Sequence, residues 1–174
     1  MADLTLSQSA GGHLASLVCF HLLKARPNFQ FRGLILNFGA YDLSGFLPQV
    51  HHFDKPLVLD HDIMEKFIEA FLPNTTSAER QDPLISPFYA NMGELAASSP
   101  HKTLPPALFT CGTADPLLDD TVMMSTKWMM AGAEAVVKIY PGAPHGFIVF
   151  PPDVLEAAKQ GLADVKTFLE EKAG

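Results

Sequence analysis

Three side chains in this sequence have the types that nucleophilic acyl transfer requires. Ser9 supplies a hydroxyl, His145 an imidazole and Asp115 a carboxylate. In such chemistry the imidazole takes the hydroxyl proton, while the carboxylate orients the imidazole. Taken singly, Ser9 also fits a glycine-rich turn with an incidental serine, and His145 also fits an ordinary surface loop. The joint pattern is what indicates a catalytic site.

The segment around the serine has the form of a nucleophile elbow, a tight turn between a strand and a helix. The segment reads Ser7-Gln8-Ser9-Ala10-Gly11-Gly12. Such a turn needs small residues two positions before and after the nucleophile, and Gly11 meets this demand better than Ser7 does. The backbone N–H of Ala10 would then point from the helix N-terminus toward a developing oxyanion. The segment therefore predicts Ser9 as nucleophile and Ala10 as an oxyanion donor.

The choice of the acid is less direct, because several aspartates follow predicted strands. Asp119 and Asp120 are well placed to cap the next helix, which leaves Asp115 to orient the imidazole. Asp42 is a rival, and it is less favoured because it can cap the turn before Ser44. We therefore predict Asp115 as the acid.

Strand and helix signals alternate along the chain. The predicted strands are Leu4–Ser7, Arg32–Phe38, Leu108–Cys111 and Ala135–Tyr140, the last of them broken by Pro141 and Gly142. The predicted helices are one ending near Lys24 with the stripe Leu14, Val18 and Leu22, then Asp62–Leu72, Asp119–Met130 and Asp153–Lys172. This alternation predicts an α/β fold in which helices flank a mostly parallel sheet.

In such a sheet the carboxyl ends of the strands meet at one edge, where ligands bind. Ser9, Asp115 and His145 each come just after a predicted strand, so we expect all three to face one crevice. Their chain order of Ser, Asp and His is also the order expected of an α/β-hydrolase.

We interpret residues 1–174 as a single domain with a proline-rich insertion at 42–103. One helix, Asp62–Leu72, is predicted inside the insertion, and its broad apolar face must be buried. That face either packs as a cap or lines an acyl pocket, and packing is the favoured interpretation.

Composition and charge exclude several classes of function. The chain has 12 basic and 19 acidic residues and a net charge of −7, and its basic residues are scattered, so no nucleic acid is expected as a partner. No apolar run reaches the roughly 18 residues that a membrane span needs. The first residues lack the basic start and apolar stretch of a signal peptide, which predicts a cytoplasmic protein.

Neither the cysteines nor the histidines outside the 141–147 segment indicate a metal site. Cys19 and Cys111 lie in apolar runs and are predicted to be buried free thiols. His51, His52 and His61 have a spacing that fits no familiar metal site, so we expect them in a solvated loop.

Four motifs taken together resemble one family. They are Ser9-Ala10-Gly11-Gly12, Asp82-Pro83-Leu84-Ile85-Ser86-Pro87, Asp115-Pro116-Leu117-Leu118-Asp119 and His145-Gly146-Phe147. In this order they resemble the hormone-sensitive-lipase-like esterases, also called the α/β-hydrolase fold-3 family. The resemblance implies a carboxylesterase that needs no cofactor and no metal, acts on small acyl esters and carries a helical cap. By motif it implies Ser9 as nucleophile, Asp115 as acid and His145 as base.

The sequence departs from the family pattern in two ways. Ser7 stands where the family has glycine, and the His-Gly-Gly-Gly-type loop that precedes the nucleophile in the family does not occur. Losing one oxyanion donor costs on the order of 3 kcal/mol of transition-state stabilisation. We therefore expect this chain to be the C-terminal portion of a longer enzyme. Its first strand would then be an open, apolar edge that a second copy or a complementing chain covers.

Two other interpretations of the sequence remain open at this point. One is a non-catalytic ligand-binding protein on the same scaffold, against which the presence of His145 argues. The other is a non-functional fragment that does not fold alone.

Overall fold

A parallel sheet forms the centre of the protein. The computed structural model describes residues 2–26, 28–55 and 57–173. Within these ranges the strands are β1 (Ala2–Gln8), β2 (Gln30–Asn37), β3 (Ala107–Ala114) and β4 (Ala135–Pro144). They lie in the order β1-β2-β3-β4 and every neighbouring pair is parallel. The predicted α/β class is confirmed, and β1 lies at one edge of this sheet.

Helices cover both faces of the sheet. They are α1 (Ala10–Ala25), α2 (Pro48–His52), α3 (His61–Phe71), α4 (Met92–Ser98), α5 (Leu118–Met130) and α6 (Glu156–Ala173). Single 3-10 turns occur at Glu79–Gln81, Pro87–Tyr89 and Phe147–Val149. Residues of α1, α4 and α5 share one apolar cluster with the sheet, whereas α6 packs in a separate cluster.

The central strand β2 is buried on both faces, as its almost continuous apolar run predicts. Leu34 and Leu36 pack in the cluster that contains Trp128 of α5. Ile35 points the other way and packs against Phe168 of α6. Side chains alternate across a strand, so one short apolar segment supplies core to both layers.

The buried face of α1 is not the one that its leucine and valine stripe indicates. Leu14 and Val18 are each 53% exposed, and Leu6 of β1 is 55% exposed. The buried face has four small residues, Gly12, Ala15, Ser16 and Cys19, together with the larger His13, Phe20 and Leu23. Small residues let the helix lie close to the sheet, and this packing overrides the apolar periodicity.

The last strand runs further than its sequence predicts. Pro141 and Gly142 were expected to break it, yet β4 continues to Pro144. An edge strand tolerates a proline because its outer N–H groups need no partner strand. Gly142 adopts φ 72°, in the left-handed region that suits glycine, and its N–H donates to the Thr113 hydroxyl at 2.8 Å.

Cys19 and Cys111 are buried free thiols, as predicted. Among the described residues, no helix has both the length and the apolar character to cross a bilayer.

A buried carboxylate at the start of α5 holds the segment that follows β2. Asp120 accepts hydrogen bonds from the N–H groups of Tyr41 and Asp42, and Asp119 accepts one from Gln49 at 2.8 Å. The prediction that these two aspartates cap α5 is wrong, because no side chain caps that helix, whose N-cap is Leu117. The two carboxylates instead bind N–H groups of the segment after β2, which would otherwise be left unpaired.

Burial raises the pKa of Asp120 from its ordinary 3.8 to about 7, although the two N–H donors act in the opposite direction. The folded protein therefore keeps this proton to higher pH than the unfolded chain does. Between these two pKa values, rising pH lowers the contribution of Asp120 to the free energy of unfolding.

We expect Asp120→Asn to remove this part of the pH dependence. Asparagine keeps an oxygen that accepts from the N–H groups of residues 41 and 42, but it does not ionise. Denaturant unfolding between pH 4.5 and 8 should show the wild type losing stability relative to the variant as pH rises toward about 7. Parallel curves for the two proteins would contradict the assignment.

Candidate active site

Ser9 occupies the single residue between β1 and α1. Its backbone has φ 52° and ψ −126°, a combination that L-residues rarely adopt. Its N–H donates to the carbonyl of Asn37 at the end of β2, at 3.0 Å. The turn is thus anchored to the neighbouring strand, and it places the Ser9 side chain at the carboxyl edge of the sheet.

The residues beside Ser9 have the small size that this turn requires. A Cβ on Gly11 would lie 2.8 Å from the Ser7 hydroxyl oxygen, which is closer than real Cβ atoms come. Ser7 is tolerated because glycine at position 11 leaves room for its hydroxyl. Ala10 is the first residue of α1, so its N–H has no acceptor within the helix and is available at the helix N-terminus.

Two hydrogen bonds join the three predicted residues in one row. The Ser9 hydroxyl lies 2.9 Å from Nε2 of His145, and Nδ1 of His145 lies 2.9 Å from Oδ2 of Asp115. A carboxylate only accepts, so Nδ1 carries the proton of the neutral ring. Nε2 is then the free acceptor, and the Ser9 hydroxyl donates to it.

The acid and the imidazole are both fixed by further contacts. Asp115 is fully buried, and its second oxygen accepts from the N–H of Leu117 at 2.9 Å. The ring of Phe38 packs edge-to-face on His145 with centroids 4.9 Å apart, and Phe147 packs on Phe38 at 5.7 Å. Phe38 is not among the site residues predicted from the sequence, although its position directly after β2 is a signal for such a support.

The two strands that carry the acid and the imidazole approach very closely. A Cβ on Gly112 of β3 would overlap the carbonyl of Ala143 in β4. Only glycine permits this approach, and the register of the two strands shifts between Gly112 and Ala114. The irregular pairing brings the residue after β3 and the residue after β4 within hydrogen-bond distance of each other.

The rival acid, Asp42, serves a different part of the molecule. One of its oxygens accepts from the N–H of Ser44 at 2.8 Å and from the Ser44 hydroxyl at 2.6 Å, and the other accepts from the Tyr89 hydroxyl at 3.2 Å. It therefore caps the turn at Ser44, as its position predicts.

An apolar cavity of about 370 Å³ opens beside the serine. Its lining consists of Ser9, Ala10, His13, Leu14, Ala40, Leu43, Leu59, Met64, Phe67, Ile68, Phe71 and Leu117. Four of these residues belong to α3; Met64 and Ile68 are buried, whereas Phe67 and Phe71 remain more than half exposed. The apolar face of α3, for which plain packing is the favoured prediction, therefore also lines a cavity at Ser9.

His51, His52 and His61 lie on two helices rather than in a loop, although His51 and His52 are exposed to solvent as predicted. His51 and His52 end α2, and His61 begins α3, where Nδ1 is 3.6 Å from Asp62 and Nε2 is 3.7 Å from Glu65. These groups have the chemistry of metal ligands. Both carboxylates are exposed and pair with different nitrogens of one ring, an arrangement typical of a weak surface ion-pair cluster.

The chain is similar to known hydrolases in sequence. A family model described as alpha/beta hydrolase fold matches residues 6–149. An esterase of Fusarium pseudograminearum is 30% identical over 80% of this chain and 41% of its own length. An esterase of Acinetobacter venetianus is 28% identical over 95% of this chain and 51% of its own length. The hormone-sensitive lipase of Mus musculus is 35% identical over 44% of this chain and 9% of its own length.

Solved structures are similar in fold. The Pyrobaculum calidifontis esterase superposes with a TM-score of 0.80 at 24% identity, covering 97% of this chain and 52% of that one. A thermostable esterase from Pseudomonas putida gives a TM-score of 0.71 at 23% identity, covering 83% of this chain and 42% of that one. At this identity the likeness shows the fold. The chain spans about half the length of the esterases it matches.

The positive φ of Ser9 should lower the stability of the folded protein whenever this position carries a Cβ. An L-residue in a left-handed turn costs ~1–2 kcal/mol, a cost that glycine avoids. We expect Ser9→Gly to be more stable than Ser9→Ala by about 1 kcal/mol, since both variants lose the hydroxyl and only one loses the Cβ. Denaturant unfolding of the pair measures this difference, and a more stable alanine variant would contradict the turn geometry.

Proposed function

The chain belongs to the alpha/beta hydrolase fold family, and from that premise we propose that it hydrolyses carboxylic esters with Ser9 as nucleophile. His145 is the general base and Asp115 is the residue that orients it. The observation that carries the proposal is the pair of 2.9 Å hydrogen bonds from Ser9 to His145 and from His145 to Asp115. This order of groups is what acyl transfer to a serine requires.

In the first half of the reaction the serine is acylated. Nε2 of His145 takes the hydroxyl proton as Oγ of Ser9 attacks the ester carbonyl carbon, and the carbonyl oxygen becomes an oxyanion. The N–H of Ala10 and the N-terminus of α1 stabilise that charge. Collapse breaks the bond to the alcohol, which leaves with the proton from His145.

In the second half, water releases the acid. His145, neutral again, takes a proton from water, and the hydroxide attacks the acyl carbon bound to Ser9. The second tetrahedral intermediate expels Oγ, which regains the proton from His145. The products are a carboxylic acid and the free serine, and neither half of the cycle uses a cofactor.

Asp115 acts on the imidazole rather than on the substrate. Its carboxylate holds the Nδ1–H form of His145, which leaves Nε2 facing the hydroxyl, and it stabilises the imidazolium that forms in both steps. Complete burial of Asp115 strengthens this effect, because water does not screen the pair.

The cavity beside Ser9 would hold an apolar part of the ester. Its walls are almost entirely apolar, and its volume of about 370 Å³ suits a chain of modest length. We propose that residues 1–174 act as one domain in which the 42–103 insertion is the cap, with α3 covering the cavity. The substrate class is therefore a small acyl ester with an apolar group.

The esterases that the chain matches are about twice as long as residues 1–174. We propose that the N–H of Ala10 is the oxyanion donor that these residues supply. The loss of one such donor typically costs about 10²–10³ in rate. We also propose that a second copy or a complementing chain covers β1, where Leu6 is 55% exposed.

A fluorophosphonate probe tests the proposed chemistry without requiring fast turnover. We expect one equivalent of probe on Ser9, located by peptide mass spectrometry, and a burst of p-nitrophenol from p-nitrophenyl acetate. Ser9→Ala should abolish both, and Asp115→Asn should slow labelling by about 10²–10⁴-fold because it disturbs the tautomer of His145.

Ser98→Ala is the matched control, since this serine lies on α4 and donates only to the Glu94 carbonyl. It should label at the wild-type rate. A cooperatively folded wild-type sample that takes up no probe, or takes it up on another serine, would defeat the proposal.

A further inference from the structure

A buried pair of polar side chains joins β2 and β3 at the last rung of their ladder. The Thr110 hydroxyl donates to Oδ1 of Asn37 at 2.6 Å, and the two residues are partners in the parallel register. Asn37 is 1% exposed and Thr110 is fully buried. Apolar residues precede both, Leu36 in β2 and Phe109 in β3. The pair is thus a polar exception inside the sheet, at the carboxyl edge where the active site lies.

The peptide group between Asn37 and Phe38 links the turn at Ser9 to β3. Its carbonyl oxygen accepts from the Ser9 N–H at 3.0 Å, and its own N–H donates to the Thr110 carbonyl at 2.7 Å. Asn37 is also the register partner of Gln8, the residue before Ser9. Thr110 therefore holds this peptide group twice, directly through its carbonyl and indirectly through the side chain of Asn37.

The same peptide group sets the direction of Phe38. Phe38 has φ 39°, in the left-handed region that a bulky side chain rarely adopts, and its ring packs on His145 with centroids 4.9 Å apart. A residue persists in such a conformation only when the structure around it holds it there. One peptide group thus contacts the nucleophile on one side and, through Phe38, supports the base on the other.

Stability alone does not explain a polar pair at this rung. Replacing both partners of a buried hydrogen bond by apolar groups of the same shape is nearly neutral or stabilising. Leucine and valine have about the shapes of asparagine and threonine, and they would continue the apolar runs of both strands. A hydrogen bond is directional, whereas apolar attraction is not. What the polar pair adds is a fixed orientation.

We propose that Asn37 and Thr110 are positioning residues, whose side-chain hydrogen bond fixes the peptide group that follows Asn37. Through this peptide group they hold Ser9 in its turn and keep Phe38 against His145. The inference rests on the proposed function, since it concerns the rate at which Ser9 acts as a nucleophile. That rate is sensitive to small movements, because a misplacement of 1 Å costs about 10²-fold.

Thr110→Val removes the hydroxyl and keeps the shape of the side chain. We expect a fluorophosphonate to label Ser9 about 3–30-fold more slowly in this variant, because the peptide group after Asn37 loses one of its supports. Thr110→Ser keeps the hydroxyl and should label at nearly the wild-type rate. Ile35→Val trims an apolar side chain on the same face of β2 and controls for lost packing. It should lower the denaturant midpoint without slowing the labelling.

The double variant Asn37→Leu/Thr110→Val separates orientation from stability. It leaves neither partner of the hydrogen bond unpaired, so its denaturant midpoint should be at least that of Thr110→Val. Its labelling of Ser9 should nevertheless stay slow, because apolar contacts fix no direction. Wild-type labelling rates in Thr110→Val or in the double variant would overturn the proposal.

The ¹⁵N resonance of His145 Nε2 tests the positioning role without any labelling, since this nitrogen lies 2.9 Å from the Ser9 hydroxyl. In Thr110→Val the resonance should move toward its position in Ser9→Ala, whereas in Ile35→Val it should stay in place. An unchanged resonance in Thr110→Val would overturn the positioning role, whether or not the wild type is labelled. If the resonance moves as expected but wild-type Ser9 takes up no probe, the positioning role stands and the hydrolase proposal fails.

Discussion

The 2.9 Å hydrogen bond between His145 and the buried carboxylate of Asp115 is the interaction on which the rest of the site depends. A carboxyl group with no solvent exposure is tolerated only when its oxygens are paired, and here the imidazole and the N–H of Leu117 pair them. The same bond sets which nitrogen of His145 faces Ser9. The close pairing of β3 and β4 at Gly112 makes it geometrically available.

The site combines a rigid polar row with an apolar space beside it. Ser9 is held in an unfavourable backbone conformation, which the ladder bond to Asn37 and the packing of α1 on the sheet must offset. On the cavity side, α3 contributes an apolar surface of large side chains. The chemistry and the recognition of an apolar group thus come from different elements, one from the strand ends and the other from the insertion.

Much of this arrangement could be predicted from the sequence, because short motifs follow strands whose apolar runs are unmistakable. The strand ends at Ser9, Asp115 and His145 and the double burial of β2 are of this kind. Predictions failed where tertiary contacts override local pattern. The apolar stripe with Leu14 is exposed because α1 packs through its smaller residues, and Asp120 binds a distant loop instead of capping its own helix.

Other features have no local signal at all. The extension of β4 through Pro141 depends on its place at the edge of the sheet, which only the strand order decides. The hydrogen bond from Nδ1 of His13 joins it to the carbonyl of Ala40, 27 residues away in sequence.

The tautomer of His145 in solution tests the row of Ser9, His145 and Asp115 directly, and long-range ¹H–¹⁵N NMR reports it. We expect a neutral ring with the proton on Nδ1, and its signal should change in both Ser9→Ala and Asp115→Asn. A neutral ring with the proton on Nε2, or a signal that neither substitution changes, would rule out this arrangement.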